Sequence, residues 1–219
     1  MGGLGNIIGG IVMYHYDYVS RKQAAPIKEE LREILLEVQD EVRDKFTFQF
    51  HFIGSSSRNM ITYDPTTNKG FDFDVNIEPN DDDEEFSPKE IRDILRNAIN
   101  LSARKRGYSD CEDSTRVLTI KHINHWQSRI EYSCDFAIVF DSKEGQQYIR
   151  YNKQDNSYYW AYQKQPYKEL NARAEKLRKG HWDEVLDVYL YKKNNNTDLD
   201  KKSRSLYAET INEIYKKYF

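Results

Sequence analysis

The stretch HFIGSSSRNMITYDPTTNKGFDFDVNIE, residues 51–78, decides how this chain reads. An apolar run, Phe48 to Ile53, stops at Gly54-Ser55-Ser56-Ser57. After a loop, Phe71 to Ile77 alternates strictly. Side chains alternate faces along a strand, so Phe71, Phe73, Val75 and Ile77 form a core face. Asp72, Asp74 and Asn76 form the opposite one. Two carboxylates one repeat apart on one face repel each other unless a cation bridges them or one holds a proton. A hard divalent ion such as Mg²⁺ suits that site, because it prefers carboxylate oxygen and keeps positions open for phosphate.

Working outward, Phe46 to Ile53 is expected to be the first core strand. The glycine that follows permits a sharp turn and close backbone approach. Backbone N–H groups and a serine hydroxyl there can cradle a triphosphate, and Arg58 lies one turn on if Ser56 to Met60 opens a short helix. Upstream, Pro26 to Lys45 reads as a helix, with Leu31, Ile34, Leu35, Val38 and Val42 at helical spacing and Pro26 suited to its first turn. Downstream, the acidic run Asp81 to Glu85 reads as a solvated loop. Ser87-Pro88-Lys89-Glu90 is a capping box. It opens a helix that runs to about Arg106 and stops at Gly107, with Ile91, Ile94, Leu95, Ala98 and Leu101 as the buried stripe and its arginines, Arg92 among them, on the solvent face.

Ser114 to Asn124 and Ser128 to Asp141 read as strands joined by a tight turn at His125-Trp126-Gln127. In the second, Cys134, Phe136, Ile138 and Phe140 point one way, and Arg129, Glu131, Ser133, Asp135 and Ala137 the other. Asp135 stands in an otherwise apolar stretch, where aspartate is depleted and an unpaired buried charge is costly. A metal shared with Asp72 and Asp74 would account for it, and so would pairing with a nearby Arg or Lys; Glu131 is the fallback ligand. His122 and His125 do not share a strand face, which argues against zinc. Gln146 to Lys164 reads as an aromatic hairpin. Tyr167 to Lys179, Trp182 to Lys193 and Lys201 to Tyr218 read as helices, with Gly180 as a stop.

Composition sets bounds. The chain has 219 residues, net charge −3 and 38% hydrophobic residues, enough for one catalytic domain with a helical appendage. The charge gives no global basic footprint for nucleic acid. Two cysteines, Cys111 and Cys134, fit a reducing, cytoplasmic setting better than a disulfide framework. Met1 to Val12 is apolar and glycine-rich, without the charged n-region of a signal peptide and too short to span a bilayer. No membrane association is expected.

The Gly-Ser turn after an apolar strand, followed by Asp72-Phe73-Asp74-Val75 and a third acidic residue on a later strand, resembles the DNA polymerase beta-type nucleotidyltransferase superfamily, in particular its cyclic GMP-AMP synthase-like and minimal bacterial members. The resemblance covers about residues 46–141; its departure is the long spacer between the glycine and the aspartates, where Thr62 to Gly70 reads as an added turn. It implies an α+β fold, a mixed, mostly antiparallel sheet flanked by helices. Residues 1–165 would form the catalytic core and residues 166–219 a short C-terminal helical region. It further implies transfer of NMP from an NTP to a hydroxyl, with release of pyrophosphate. Two Mg²⁺ or Mn²⁺ ions would be held by Asp72, Asp74 and Asp135, and phosphates by Gly54, Ser55 and Arg58; the motif position favours Ser55 over its neighbours. The acceptor could be a nucleotide, an RNA end, a protein or a small molecule. The alternative is a catalytically silent nucleotide-binding or interaction module on the same fold.

Overall fold

The computed structural model describes residues 6–8, 11–81, 84–163, 169–198 and 200–219. Its strands are β1 (Asn6–Ile8), β2 (Ile11–Met13), β3 (Asp17–Tyr18), β4 (Thr47–Ile53), β5 (Thr62–Tyr63), β6 (Phe71–Asn80), β7 (Glu112–Asp113), β8 (Leu118–Asn124), β9 (Arg129–Ser142), β10 (Gly145–Asn152) and β11 (Ser157–Tyr162). Its helices are α1 (Arg21–Val42), α2 (Gly54–Arg58), α3 (Pro88–Arg104), α4 (Leu170–Leu177), α5 (Trp182–Asn194) and α6 (Ser203–Tyr218). The architecture is α+β. Two compact units emerge, residues 19–61 with 68–163, and residues 1–18 with 62–67 and 164–219. Asp82, Asp83, Tyr167 and the first five residues, on which parts of the sequence reading fall, lie outside the described residues.

The first unit is built on a seven-stranded sheet with the order β11-β10-β9-β6-β4, in which β8 also pairs with β9 and β7 with β8. Every pairing is antiparallel except β6 with β9. The long strand β9 is the axis. One of its edges takes β6, and its other takes β8 along residues 129–136 and then β10 along residues 139–142. The apolar face of β6 supplies Phe73, Val75 and Ile77, all fully buried. They pack in one core with Leu31, Ile34, Leu35, Val38 and Val42 of α1 and with Ile91, Leu95 and Ile99 of α3. That leaves the opposite face of β6 and β9 for polar groups.

Several local expectations are corrected. Helix α1 starts five residues early, because Ser20 and Gln23 form a reciprocal capping box, a satisfied pair of otherwise orphaned N–H groups. Pro26 therefore sits inside the helix. On α3, Leu101 is 53% exposed, and Ile99 takes its place in the core. Arg92, assigned to the solvent face, is fully buried. On β9, Phe140 is exposed and Val139 is buried instead, as the strand passes from pairing with β8 to pairing with β10.

The second unit has its own core. Leu170, Ala174 and Leu177 of α4, Val185 and Tyr189 of α5, and Leu206, Tyr207, Ile211 and Ile214 of α6 are buried. Tyr18 donates from its hydroxyl to the Leu186 carbonyl (2.8 Å). Asp64 organises the added turn of the spacer: it accepts from the His15 N–H (3.0 Å), the Thr66 N–H (2.9 Å) and the Thr66 hydroxyl (2.6 Å). No helix among the described residues is long and apolar enough to cross a membrane.

Candidate active site

Strand pairing brings the three aspartates together. In the parallel β6–β9 register, Asp74 lies opposite Asp135 and Asp72 opposite Ser133. Paired residues on neighbouring parallel strands point the same way, about 4.8 Å apart. Asp74 and Asp135 are 61 positions apart in the chain, and the strand pairing is what sets them side by side. On the far side of β6, Ile53 pairs with Asp74, so the turn after β4 leaves the sheet beside that carboxylate.

The turn is the short helix α2, which begins at Gly54 itself rather than at Ser56 and ends at Asn59, a left-handed cap with φ 56°. Gly54 has φ +65°, and a Cβ placed on it would lie 2.3 Å from Asp74 Oδ2. Backbone conformation and space both demand glycine here. A second glycine delivers β6: a Cβ on Gly70 would lie 1.8 Å from the Glu131 carbonyl oxygen, where Ile130 N–H also donates to the Asn68 carbonyl (3.1 Å). The longer spacer thus enters β6 pressed against the backbone of β9.

Of the three serines, Ser56 donates its hydroxyl to the Ile53 carbonyl (2.9 Å) and Ser57 to the Gly54 carbonyl (3.0 Å). The Ser55 hydroxyl makes no hydrogen bond among the described residues, which leaves it available to a ligand.

The carboxylates are electrostatically crowded. Burial, then the charges of Asp135 and Asp72, push Asp74 up to about 6, against the pull of Arg58. Asp135 is also raised, by burial first and then by Asp72, while the Thr119 hydroxyl and Lys121 pull it down. Two hydroxyls missed in the sequence hold the outer pair: Thr119 donates to Asp135 Oδ1 (2.5 Å) and Ser133 donates to Asp72 Oδ1. Their signal was available, since both sit on the polar face of a strand in register with an aspartate. Glu131, the fallback ligand, is engaged elsewhere: it accepts from Asn124 Nδ2 (3.0 Å) and lies 3.2 Å from His122 Nδ1, without a hydrogen bond to it.

The donor set suits a hard divalent cation. All three side chains are carboxylates, and Asp74, raised first by burial and then by its like-charged neighbours, is a group that a bound cation would relieve. The ligand cage is not closed, however. Among the described residues, no three His, Cys, Asp or Glu side chains are gathered at ligating distance, and the outer two aspartates face the hydroxyls of Ser133 and Thr119.

The fold is that of solved nucleotidyltransferases of the cyclic GMP-AMP synthase-like type. Vibrio cholerae DncV cyclic AMP-GMP synthase in complex with the linear intermediate 5′ pppA(3′,5′)pG is similar at TM-score 0.59 and 10% identity, over 80% of this chain and 61% of that one. The GTP-bound form of V. cholerae DncV is similar at TM-score 0.56 and 16% identity, over 84% and 51%. Escherichia coli DncV in its 3′-deoxy GTP bound form is similar at TM-score 0.55 and 16% identity, over 91% and 56%. The chain thus spans between 51% and 61% of the length of these structures. No family model matches the sequence, and no curated protein matches it.

Proposed function

We propose that the chain is a metal-dependent nucleotidyltransferase that moves NMP from an NTP to a hydroxyl acceptor and releases pyrophosphate. The observation that carries this reading is the register that sets Asp74 beside Asp135, with Asp72 one repeat away and Gly54 packed against Asp74. The nucleotides bound in the similar DncV structures accord with an NTP substrate. Asp72, Asp74 and Asp135 would hold the magnesium or manganese ions, which when bound lower the pKa of a hydroxyl and stabilise charge at a phosphoryl group.

The chain's own residues supply the rest. Gly54 lets the α2 backbone approach the ligand, Ser55 donates its hydroxyl to a phosphate oxygen, and Arg58 adds positive charge next to Asp74. Ser133 and Thr119 hold one oxygen each of Asp72 and Asp135, which orients the two carboxylates. Free, buried thiols at Cys111 and Cys134 accord with a reducing cytoplasm.

The test is chromatography of purified protein with each labelled NTP and Mg²⁺ or Mn²⁺, beside Asp74→Asn. A new labelled species that the variant lacks is expected; unchanged product in Asp74→Asn would sink the proposal. The open ligand cage favours one second reading, a silent nucleotide-binding module. It predicts stabilisation by Mg²⁺-NTP, as for any ligand that binds only the native state, with no product from any acceptor.

A further inference from the structure

The outer strands of the seven-stranded sheet are not treated alike. Strand β7 is two residues long, and both are acidic. The side of β8 beyond β7 is met by Ser109, whose N–H donates to the Lys121 carbonyl (2.8 Å) and whose hydroxyl accepts from the Lys121 N–H (3.1 Å). On β4, Gln39 of α1 donates Nε2 to the Phe48 carbonyl (2.7 Å). Short strands, charged strands and strands covered by a helix are the usual means of keeping a sheet edge from pairing with another chain.

Strand β11 carries none of these devices. Its six residues, Ser157-Tyr158-Tyr159-Trp160-Ala161-Tyr162, include no charge and no proline. One step beyond the strand, Gln163 N–H donates to the Gln146 carbonyl (2.9 Å), which fixes the alternation of the antiparallel ladder. Tyr159 and Ala161 therefore exchange bonds with their β10 partners, Arg150 and Tyr148. Tyr158, Trp160 and Tyr162 turn their N–H and C=O groups to the open side. Those groups have no hydrogen-bond partner among the described residues. Helix α3 and its neighbourhood cover a face of the strand, not its edge: the Tyr158 hydroxyl donates to Asp113 (2.9 Å), and Lys89 lies over the Tyr158 ring. Tyr159 and Tyr162 remain exposed.

The sequence of the edge selects its partner. Two identical strands that meet antiparallel about a two-fold axis must be complementary to themselves. In the register centred on Trp160, residues with outward N–H groups meet residues of the same kind. Tyr158 lies opposite Tyr162 of the second copy, Trp160 opposite its own equivalent, and Tyr159 opposite Ala161. Aromatic cross-strand pairs are favourable, and like charges directly opposite are not. Every pair here is aromatic or apolar, and none sets charge against charge.

We propose that β11 pairs antiparallel with β11 of a second copy of this chain, forming a dimer with one sheet continuous through both copies. The two-fold axis uses both open edges, so the assembly closes as a dimer. This pairing uses no residue of the candidate active site and does not rest on the nucleotidyl-transfer reading.

The experiment is sedimentation velocity of the full chain over a wide range of concentration. A reversible dimer is expected. Tyr162→Pro removes an outward N–H and keeps the bonds to β10, as proline at a sheet edge can. Tyr159→Lys puts a charge on the edge. Each should weaken the dimer at least tenfold, with the far-UV circular dichroism of the parent. Trp126→Ser alters the most exposed aromatic residue of the chain, 99% exposed in the β8–β9 turn, and should leave the dimer unchanged. The double variant Tyr159→Cys/Ala161→Cys tests the register, because these positions face each other across the axis; oxidation should give a disulfide-linked dimer. A chain that is monomeric at every concentration, an open-ended polymer, or a dimer lost in Trp126→Ser instead overturns the proposal. So does a dimer indifferent to both edge variants. Should either edge variant fail to fold, the cysteine pair decides, and a dimeric chain that forms no disulfide-linked dimer on oxidation overturns the pairing.

Discussion

Two groups of charges in the sheet unit are treated in opposite ways. Arg92 is fully buried and its donors meet Asp113 Oδ1 (2.8 Å from Nε) and the carbonyls of Ser114, Val117 and Ile149. Asp113 also accepts from the Tyr158 hydroxyl (2.9 Å). Asp72, Asp74 and Asp135 share one sign, and the strongest local effects on Asp74 are burial and its like-charged neighbours. The first cluster is satisfied from within and acts as a strut. The second is crowded with like charge, which Arg58 and the hydroxyls of Ser133 and Thr119 ease only in part. Electrostatic frustration on a well-packed sheet is a pointer to function that composition cannot give.

The contrast breaks most visibly at the strut. Arg92→Met leaves Asp113 buried beside a thioether and takes a donor away from three carbonyls. Removing one partner of a buried pair costs about 3–5 kcal/mol, so urea unfolding should show a loss of that size. A loss under about 1 kcal/mol would mean that the turn at residues 114–117 holds itself and that Arg92 is dispensable.

Next in size is Gly54→Ala. The left-handed backbone costs a non-glycine residue about 1–2 kcal/mol, and the new methyl would collide with Asp74 Oδ2, 2.3 Å away. Together with overpacking, a destabilisation of about 2–4 kcal/mol is expected, along with loss of the proposed NTP transfer. A variant as stable and active as the parent would show that α2 does not press on Asp74.

Asp74→Asn should do the reverse. Its folded pKa of about 6 stands above the ordinary 3.8, so the native state binds a proton that the unfolded chain gives up between those values. Stability from this group therefore falls as pH rises toward 6, and its cost is fully present above that pH. In EDTA, Asp74→Asn should stabilise the fold at pH 7–8 by something on the order of 1–2 kcal/mol. The gain should fade as pH falls and vanish below 3.8, where the carboxyl is neutral in both states. Thermal melts across pH decide it, and a gain that persists at pH 3 would point to packing rather than charge.

How much of this was legible in the sequence depends on how local each signal is. The alternation of β6 announces its core face and its aspartates in seven consecutive residues, and Asp135 stands out in an apolar strand. The register that joins them, Asp74 with Asp135, could only be inferred through resemblance, because pairing between distant strands leaves no mark in either one. The start of α1 was legible and was missed: Ser20 and Gln23 spell a capping box, but Pro26 drew the boundary inward. Arg92 was not legible. Its partners come from residues 113, 114, 117 and 149, and nothing near it in sequence distinguishes it from Arg96.

The smallest expected effect tests the boundary of that legibility. Both Ile99 and Leu101 are apolar, and helical spacing from Ile91, Leu95 and Ala98 admits either at the edge of the stripe. Ile99 is fully buried, whereas Leu101 is 53% exposed. Leu101→Gln should thus change stability by less than about 0.5 kcal/mol, the usual range for a surface position. Ile99→Ala should cost about 2–5 kcal/mol through lost burial and the cavity left behind. Equal losses in both would place Leu101 in an interface and restore the stripe expected from spacing alone. The predicted difference would instead confirm that α3 is rotated so that Arg92, and not Leu101, faces inward, and this rotation is what carries the strut beneath the turn at residues 114–117.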